Sequence, residues 1–157
     1  MANHSVKIIW ERGDQNFLDN RYSRKHTIQF DGGLEIPASS SPSNVPVPLS
    51  DESAADPEEL LIAALSNCHM LWFLAIAAKR GFRVDSYVDD TTGTMAKNAK
   101  GKLFLAQATL NPVTYFSGDK IPTQEELEQL HHKAHEECFI ANSVLTEITC
   151  KPILGNQ

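Results

Sequence analysis

Three cysteines, Cys68, Cys138 and Cys150, are the residues of this 157-residue chain best suited to chemistry, and their settings differ. Cys68 sits in a polar notch, Ser66-Asn67-Cys68-His69, in the middle of the otherwise apolar stretch DPEELLIAALSNCHMLWFLAIAAKRG from Asp56 to Gly81. Burial in such a stretch raises a thiol's pKa and normally leaves it inert, so a lone cysteine there is most simply packing. The notch argues otherwise, because it gathers polar groups about the sulfur where packing needs none. Cys138 ends a second run in which Leu127, Leu130 and Ala134 precede it at spacings of three, four and four, on one helical stripe that points the sulfur inward. A polar turn, Ala141-Asn142-Ser143, follows it. Two inward-facing thiols invite redox chemistry. Cys150 alternates with Ile148 on a strand-like run and reads as core.

A rival constellation lies on the second helix. His131, His135 and Cys138 stand at i, i+4 and i+7, with His132 adjacent, and could present three metal ligands on one face. That reading would make the chain a zinc hydrolase or a metal-binding module. It lacks the H-E-x-x-H order and any C-x-x-C pair, and HHKAHEE reads more simply as a solvated helix face.

The elements that must position these groups are marked in the sequence. Asp56 is a good N-cap, Pro57 suits the first helical position, and Glu58 and Glu59 place negative charge where the free N–H groups favour it. Lys79, Arg80 and Gly81 close the other end. Apolar residues fall all round this helix, the pattern of a rod buried on every side. Its longest unbroken apolar run, Met70 to Ala78, is shorter than the ~18 residues of a membrane span. Thr123 and Glu126 form a capping box for the second helix. Strands are expected at Val6 to Trp10, Arg24 to Phe30, from Leu34, at Arg83 to Met95, Leu103 to Tyr115 and Leu145 to Cys150. Asp31-Gly32 and KNAKGK supply hairpin turns, and Pro112 implies a bulge or an edge. Pro37 to Ala55, rich in Pro and Ser, reads as a lid, a dimer arm or a plain linker. The polar segment ERGDQNFLDNRYS carries Arg12 and Arg21, which could serve a site elsewhere or simply be solvated. The order β-β-β-α-β-β-α-β predicts a single α+β domain over residues 1–157, with an antiparallel sheet backing a long central helix and a second helix.

Composition narrows the partners. A net charge of −6 and a pI near 5.4 argue against nucleic acid, and no basic stripe carries interleaved aromatics. The opening MANHSVKIIWERGD has no apolar signal segment, so a cytosolic protein is expected, with its thiols reduced and no membrane association.

Two of these segments carry a family likeness. DPEELLIAALSNC resembles the Asn/Asp-Pro-Glu-Glu/Gln-Leu…Cys segment of the OsmC/Ohr family, the osmotically inducible protein C and organic hydroperoxide resistance proteins. CFIANSVLTEITC resembles its second-cysteine segment and last strand, and the element order also matches. The resemblance implies an OsmC-like fold, an intertwined homodimer and a thiol-dependent peroxidase acting on organic hydroperoxides. By position, Cys68 matches the attacking cysteine, Cys138 the resolving cysteine, and Glu58 the acidic residue ten places before the first. The family's arginine falls on Arg24, with Arg21 as second choice. Phe139 replaces a common Pro and His69 stands where an aromatic or small residue is common, departures that bear on substrate and subfamily. A sulfenic acid on Cys68 would condense with Cys138 to a disulfide, and an external dithiol, in the family typically a protein-bound dihydrolipoyl group, would reset it. No metal or flavin is required. A catalytically silent small-molecule binder of the same fold is a further alternative.

The physics of such a site sets a geometric condition. A guanidinium beside the sulfur would offset desolvation of a thiolate, and a Glu58 carboxylate would hold that guanidinium in a bidentate fork. Ten helical residues put Glu58 and Cys68 ~15 Å apart, too far to grip one arginine together. Antiparallel central helices in a two-fold dimer would let Glu58 and the arginine of one copy serve Cys68 of the other; a kinked helix is the competing solution.

Overall fold

In the computed structural model, which describes residues 2–155, the stretch that dominates the sequence forms one helix, α1, over Pro57–Lys79. Both ends are closed as its residues predict. The Asp56 carboxylate accepts from the Glu59 backbone N–H at 2.8 Å, and the Glu59 carboxylate accepts from the Asp56 N–H at 3.1 Å. This is a capping box that satisfies two otherwise orphaned donors. At the far end Gly81 takes φ +80°, and the N–H groups of Gly81 and Phe82 donate back to Ala78 and Ala77, a Schellman closure that a side chain at Gly81 would strain. The expected burial on every side is not found. Only Leu65, His69, Phe73 and Ala77, four residues apart, are buried, and Leu71 is 57% exposed. One stripe is fully covered, Trp72, Leu74 and Ile76 are partly buried against the core, and the side carrying Leu71 is open. By length and composition alone α1 would cross a membrane, its most apolar window having mean hydropathy 1.9, a property that core helices share.

The chain divides into two compact units, Met1–Leu60 and Leu61–Gln157. In the first, β1 (Val6–Ile9), β2 (His26–Phe30) and β3 (Glu35–Ala38) form an antiparallel sheet in the order β1-β2-β3. The β2–β3 turn puts its left-handed residue at Gly33, φ +87°, one place beyond the Asp31-Gly32 pair. The Pro/Ser-rich loop is tied down: the Ser39 N–H donates to the Ala55 carbonyl at 3.0 Å and the Ala55 N–H to the Pro37 carbonyl at 3.2 Å, the Asp51 N–H donates to Ser39 Oγ at 3.0 Å, and Lys25 pairs with Asp51 at 2.9 Å.

In the second unit the two long runs each break in two. β4 (Arg83–Asp89) pairs with β7 (Pro112–Ser117), and β5 (Thr92–Lys97) pairs with β6 (Leu103–Leu110), all antiparallel. The breaks fall at the same level, where the Asn111 N–H donates to the Asp89 carboxylate at 2.7 Å and Asn111 Nδ2 to the Asp90 carbonyl at 2.9 Å. Pro112, with no N–H to give, opens β7 beside this bend. The expected long hairpin is therefore bent across two sheets, β4-β7-β9 and β5-β6-β8. After α2 (Gln124–Glu137), β8 (Glu147–Cys150) runs parallel to β6 and β9 (Ile153–Leu154) parallel to β7, so the pairing is mixed rather than wholly antiparallel. Phe73 and Ala77 of α1 pack with Leu127, Leu130 and Ala134 of α2 and with Phe116 in one apolar core.

Candidate functional site

Cys138 is positioned by the way α2 stops. Thr123 Oγ1 accepts from the Glu126 N–H at 3.2 Å and the Glu126 carboxylate accepts from the Thr123 N–H at 2.9 Å, which fixes the start of α2. The helix ends on Cys138 as C-cap with extended φ/ψ, and the following chain folds back in a short 3₁₀ turn, Ala141–Ser143. That turn is locked to the cysteine. The Ala141 N–H donates to Cys138 Sγ at 3.4 Å, and Asn142 Nδ2 donates to the carbonyls of Glu136 and Cys138 at 2.9 and 3.0 Å.

Cys138 is 1% exposed and Cys68 is half-buried. The two thiols are partners: burial first, and hydrogen bonding to Cys68 second, push Cys138 up to about 11. Cys138 thus keeps its proton at neutral pH. All three cysteines are free thiols. Trp72, one turn beyond Cys68, meets Phe139, next to Cys138, edge to face at 5.5 Å, so an aromatic pair lies beside the thiols in sequence. Phe139 is 70% exposed, leaving that pair open to an apolar molecule.

The two charged residues of the predicted site lie in the Met1–Leu60 unit. Arg24 is held by a fork of hydrogen bonds, from Nη1 to the Asn20 and Tyr22 carbonyls and from Nη2 to Asn20 Oδ1, and its guanidinium lies 4.0 Å over the Tyr22 ring. It lines an apolar recess of about 440 Å³ with Trp10, Phe17 and Tyr22. Arg21 is exposed and donates only its backbone N–H, to Asp19. Glu58 accepts from Asn44 Nδ2 at 2.9 Å through Oε1, while its Oε2 is buried without a partner. Among the described residues Arg24 and Glu58 do not pair with each other within one chain, so the bidentate fork expected between them is absent there. Helix α1 runs unbroken through Glu58 and Cys68.

Comparison with known proteins meets this geometry. The family described as "OsmC: OsmC-like protein" matches residues 50–152, from the end of the Pro/Ser-rich loop to the segment after Cys150. The chain belongs to the OsmC-like family. An OsmC-like protein of unknown function from Vibrio cholerae is 53% identical, with TM-score 0.95 over 98% of this chain and 100% of that one. An organic hydroperoxide resistance protein from Elizabethkingia anophelis shares the fold at 17% identity, TM-score 0.68, covering 100% of this chain and 98% of that one. The organic hydroperoxide resistance protein OhrB of Bacillus subtilis does so at 16% identity, TM-score 0.61, covering 98% of each. No curated protein matches the sequence.

This OsmC-like chain also holds a cluster that the sequence does not announce. The metal set expected from His131, His135 and Cys138 is not assembled: Cys138 faces Cys68, and His131 turns to His69 and Cys150. His69 Nε2 lies 2.9 Å from His131 Nδ1, and Cys150 Sγ lies 3.8 Å from the first and 3.6 Å from the second. Cys150, read as core, is half-buried at this cluster. Burial pulls His69 down to about 4 and His131 to about 3, so both rings are neutral at pH 7. Burial, with the Asp89 carboxylate adding to it, pushes the Cys150 thiol up to about 12. The signal in the sequence was the notch itself: His69 is polar on an apolar helix for the same reason as Cys68, but its partners lie 62 and 81 positions away.

Proposed function

We propose that this OsmC-like chain is a thiol-dependent peroxidase that reduces organic hydroperoxides. The observation that carries the reading is the partnership of Cys68 with Cys138, two thiols from different helices that meet in an apolar setting. Cys68 takes the attacking role because Cys138 is the more deeply buried and stays protonated. The Cys68 thiolate displaces an alkoxide from the hydroperoxide O–O bond, which takes up a proton and leaves as the alcohol, while the sulfur becomes a sulfenic acid. Cys138 then attacks that sulfur, expelling water and forming a disulfide. A dithiol from outside the chain, a protein-bound lipoyl group being the expected one, accepts the oxidation and returns both thiols, as suits a reducing cytosol. The Trp72–Phe139 pair favours a peroxide with an apolar body.

The arginine that this chemistry needs comes from a second copy in an intertwined homodimer, with the partner's Arg24 beside Cys68 and the partner's Glu58 holding it. Three features support the arrangement: Glu58 Oε2 is buried and unpaired among the described residues, Arg24 and Glu58 do not grip each other in one chain, and α1 leaves Leu71 exposed and other apolar residues only partly covered. The deciding experiment is mass spectrometry after stoichiometric cumene hydroperoxide. A Cys68–Cys138 disulfide that is absent in Cys68→Ser is expected; loss of thiols without that bond would overturn the reading. Mixing Glu58→Ala with Cys68→Ser chains tests the shared site, since only sharing between copies restores activity in the mixture.

A further inference from the structure

The His69, His131 and Cys150 cluster takes no part in the peroxide chemistry just described, yet it is a built feature. It joins α1, α2 and β8 through side chains whose facing atoms all lie within 4.8 Å of one another. Two neutral imidazoles and a thiol are an uneconomical way to fill a core. The pair of facing ring nitrogens has a single hydrogen to share, the His131 ring stacks on Phe73 at 4.1 Å, and its outer nitrogen, Nε2, is buried with no hydrogen-bond partner. Hydrophobic residues of the same size would avoid these costs.

We propose that His69 Nε2, His131 Nδ1 and Cys150 Sγ form a binding site for a borderline-soft divalent metal ion, zinc above all. A zinc ion with ordinary bonds of ~2.0–2.1 Å to nitrogen and ~2.3 Å to sulfur sets tetrahedral ligand atoms ~3.3 Å apart for two nitrogens and ~3.6 Å for nitrogen and sulfur. The two nitrogen–sulfur distances, 3.8 and 3.6 Å, already match, and the nitrogen pair at 2.9 Å has to open by a few tenths of an ångström. The donor set selects the metal class. No carboxylate or carbonyl belongs to the group, which disfavours calcium and magnesium, while two imidazoles and a thiolate suit zinc and its neighbours. Three protein ligands leave one tetrahedral position, and a cleft of about 630 Å³ lined by His131 and Cys150 together with His132, His135, Asn111 and Glu128 reaches the site from solvent. A water molecule or a small ligand entering by that cleft completes the coordination, the arrangement of a reactive rather than a closed zinc site.

The protons balance simply. The metal displaces the Cys150 thiol proton to solvent and binds the thiolate. Each imidazole keeps one N–H, on the nitrogen facing away from the ion, so neither ring gains or loses a proton. This site is separate from the Cys68–Cys138 pair, and its test reads metal rather than peroxide.

The full-length chain, reduced and freed of metal with a chelator, is titrated with Co²⁺ alone. The expected result is one ion per chain with tetrahedral d–d bands and a thiolate-to-cobalt charge-transfer band, all displaced by Zn²⁺. Cys150→Ser abolishes the charge-transfer band, and His131→Gln weakens Zn²⁺ by more than the ~10–100-fold that loss of a mere supporting group costs. Cys68→Ser, which ends the peroxide reaction, retains both bands. Should the Cys150 variant fail to fold, alkylation of the unmutated protein decides: Zn²⁺ protects Cys150 from iodoacetamide and leaves Cys68 reactive. Absence of stoichiometric binding, a charge-transfer band that survives Cys150→Ser, or protection of Cys68 and Cys138 in place of Cys150 overturns the proposal. Each of these outcomes is distinct from failure to form the peroxide-driven disulfide.

Discussion

Cys68 and His69 are neighbours on one helix, and the structure sends them to opposite kinds of company. Cys68 meets a second thiol at the end of α2; His69 meets an imidazole in the middle of α2 and a thiol on β8. Burial raises the pKa of both partner sulfurs, Cys138 to about 11 and Cys150 to about 12, so burial does not distinguish them. What differs is the neighbour. A thiol facing a thiol has an exit through oxidation to a disulfide, while a thiol facing two neutral nitrogens is completed by an electrophile such as a metal ion. The polar notch in α1 is thus two half-sites side by side, and its chemistry is decided by what other elements bring.

The sharpest way to break this contrast is Cys68→Ser. Peroxide consumption should fall by about 10³-fold or more, as expected when a covalent nucleophile is removed, while Co²⁺ binding persists. Joint loss of both functions would merge the two sites into one. Next in size is Arg24→Ala, expected to slow the reaction of Cys68 with cumene hydroperoxide by ~10²-fold when followed by rapid-mixing kinetics, since on the proposed reading the thiolate would lose its counter-charge. Arg21→Ala should change the same rate by less than about threefold, and a reversed ranking would transfer the role to Arg21.

Alkylation by iodoacetamide, read peptide by peptide, should separate the sulfurs of Cys68 and Cys138 by at least about tenfold at pH 7, Cys138 being the slower because little of it is thiolate. The sign of its pH dependence follows from a raised pKa: Cys138 labelling climbs about tenfold per pH unit and levels only near 11. A plateau near neutrality would show Cys138 to be the activated thiol. The mildest change is Thr123→Ala, which removes the capping box of α2 and should cost ~1 kcal/mol in a urea titration. Because α2 carries both Cys138 and His131, that loss should weaken the two sites together.

The parts legible in the sequence are those governed by neighbours in the chain. The caps of α1 at Asp56 and Gly81, the Thr123–Glu126 box and the stripe that turns Cys138 inward all depend on residues within a few positions of one another. The bend in the long hairpin was half visible, at Pro112, but its pin is a contact between Asn111, at the β6–β7 junction, and Asp89 at the end of β4. The parallel pairings of β8 and β9 left no periodic mark, because alternation reports which face is buried and not the direction of the partner strand. His69, His131 and Cys150 escaped as a set for a related reason: spacing groups His131 with its helical neighbours His135 and Cys138 and makes Cys150 core, and only tertiary structure brings the three donors together.

The uncovered sides of α1 carry a consequence for behaviour in solution. A helix whose most apolar window has mean hydropathy 1.9 and that fully buries Leu65, His69, Phe73 and Ala77 would, in the proposed dimer, gain further protection from the second copy, so mass action would enter its thermodynamics. The melting temperature should climb as the protein is concentrated and sag on dilution, and the specific turnover per chain should follow the same curve.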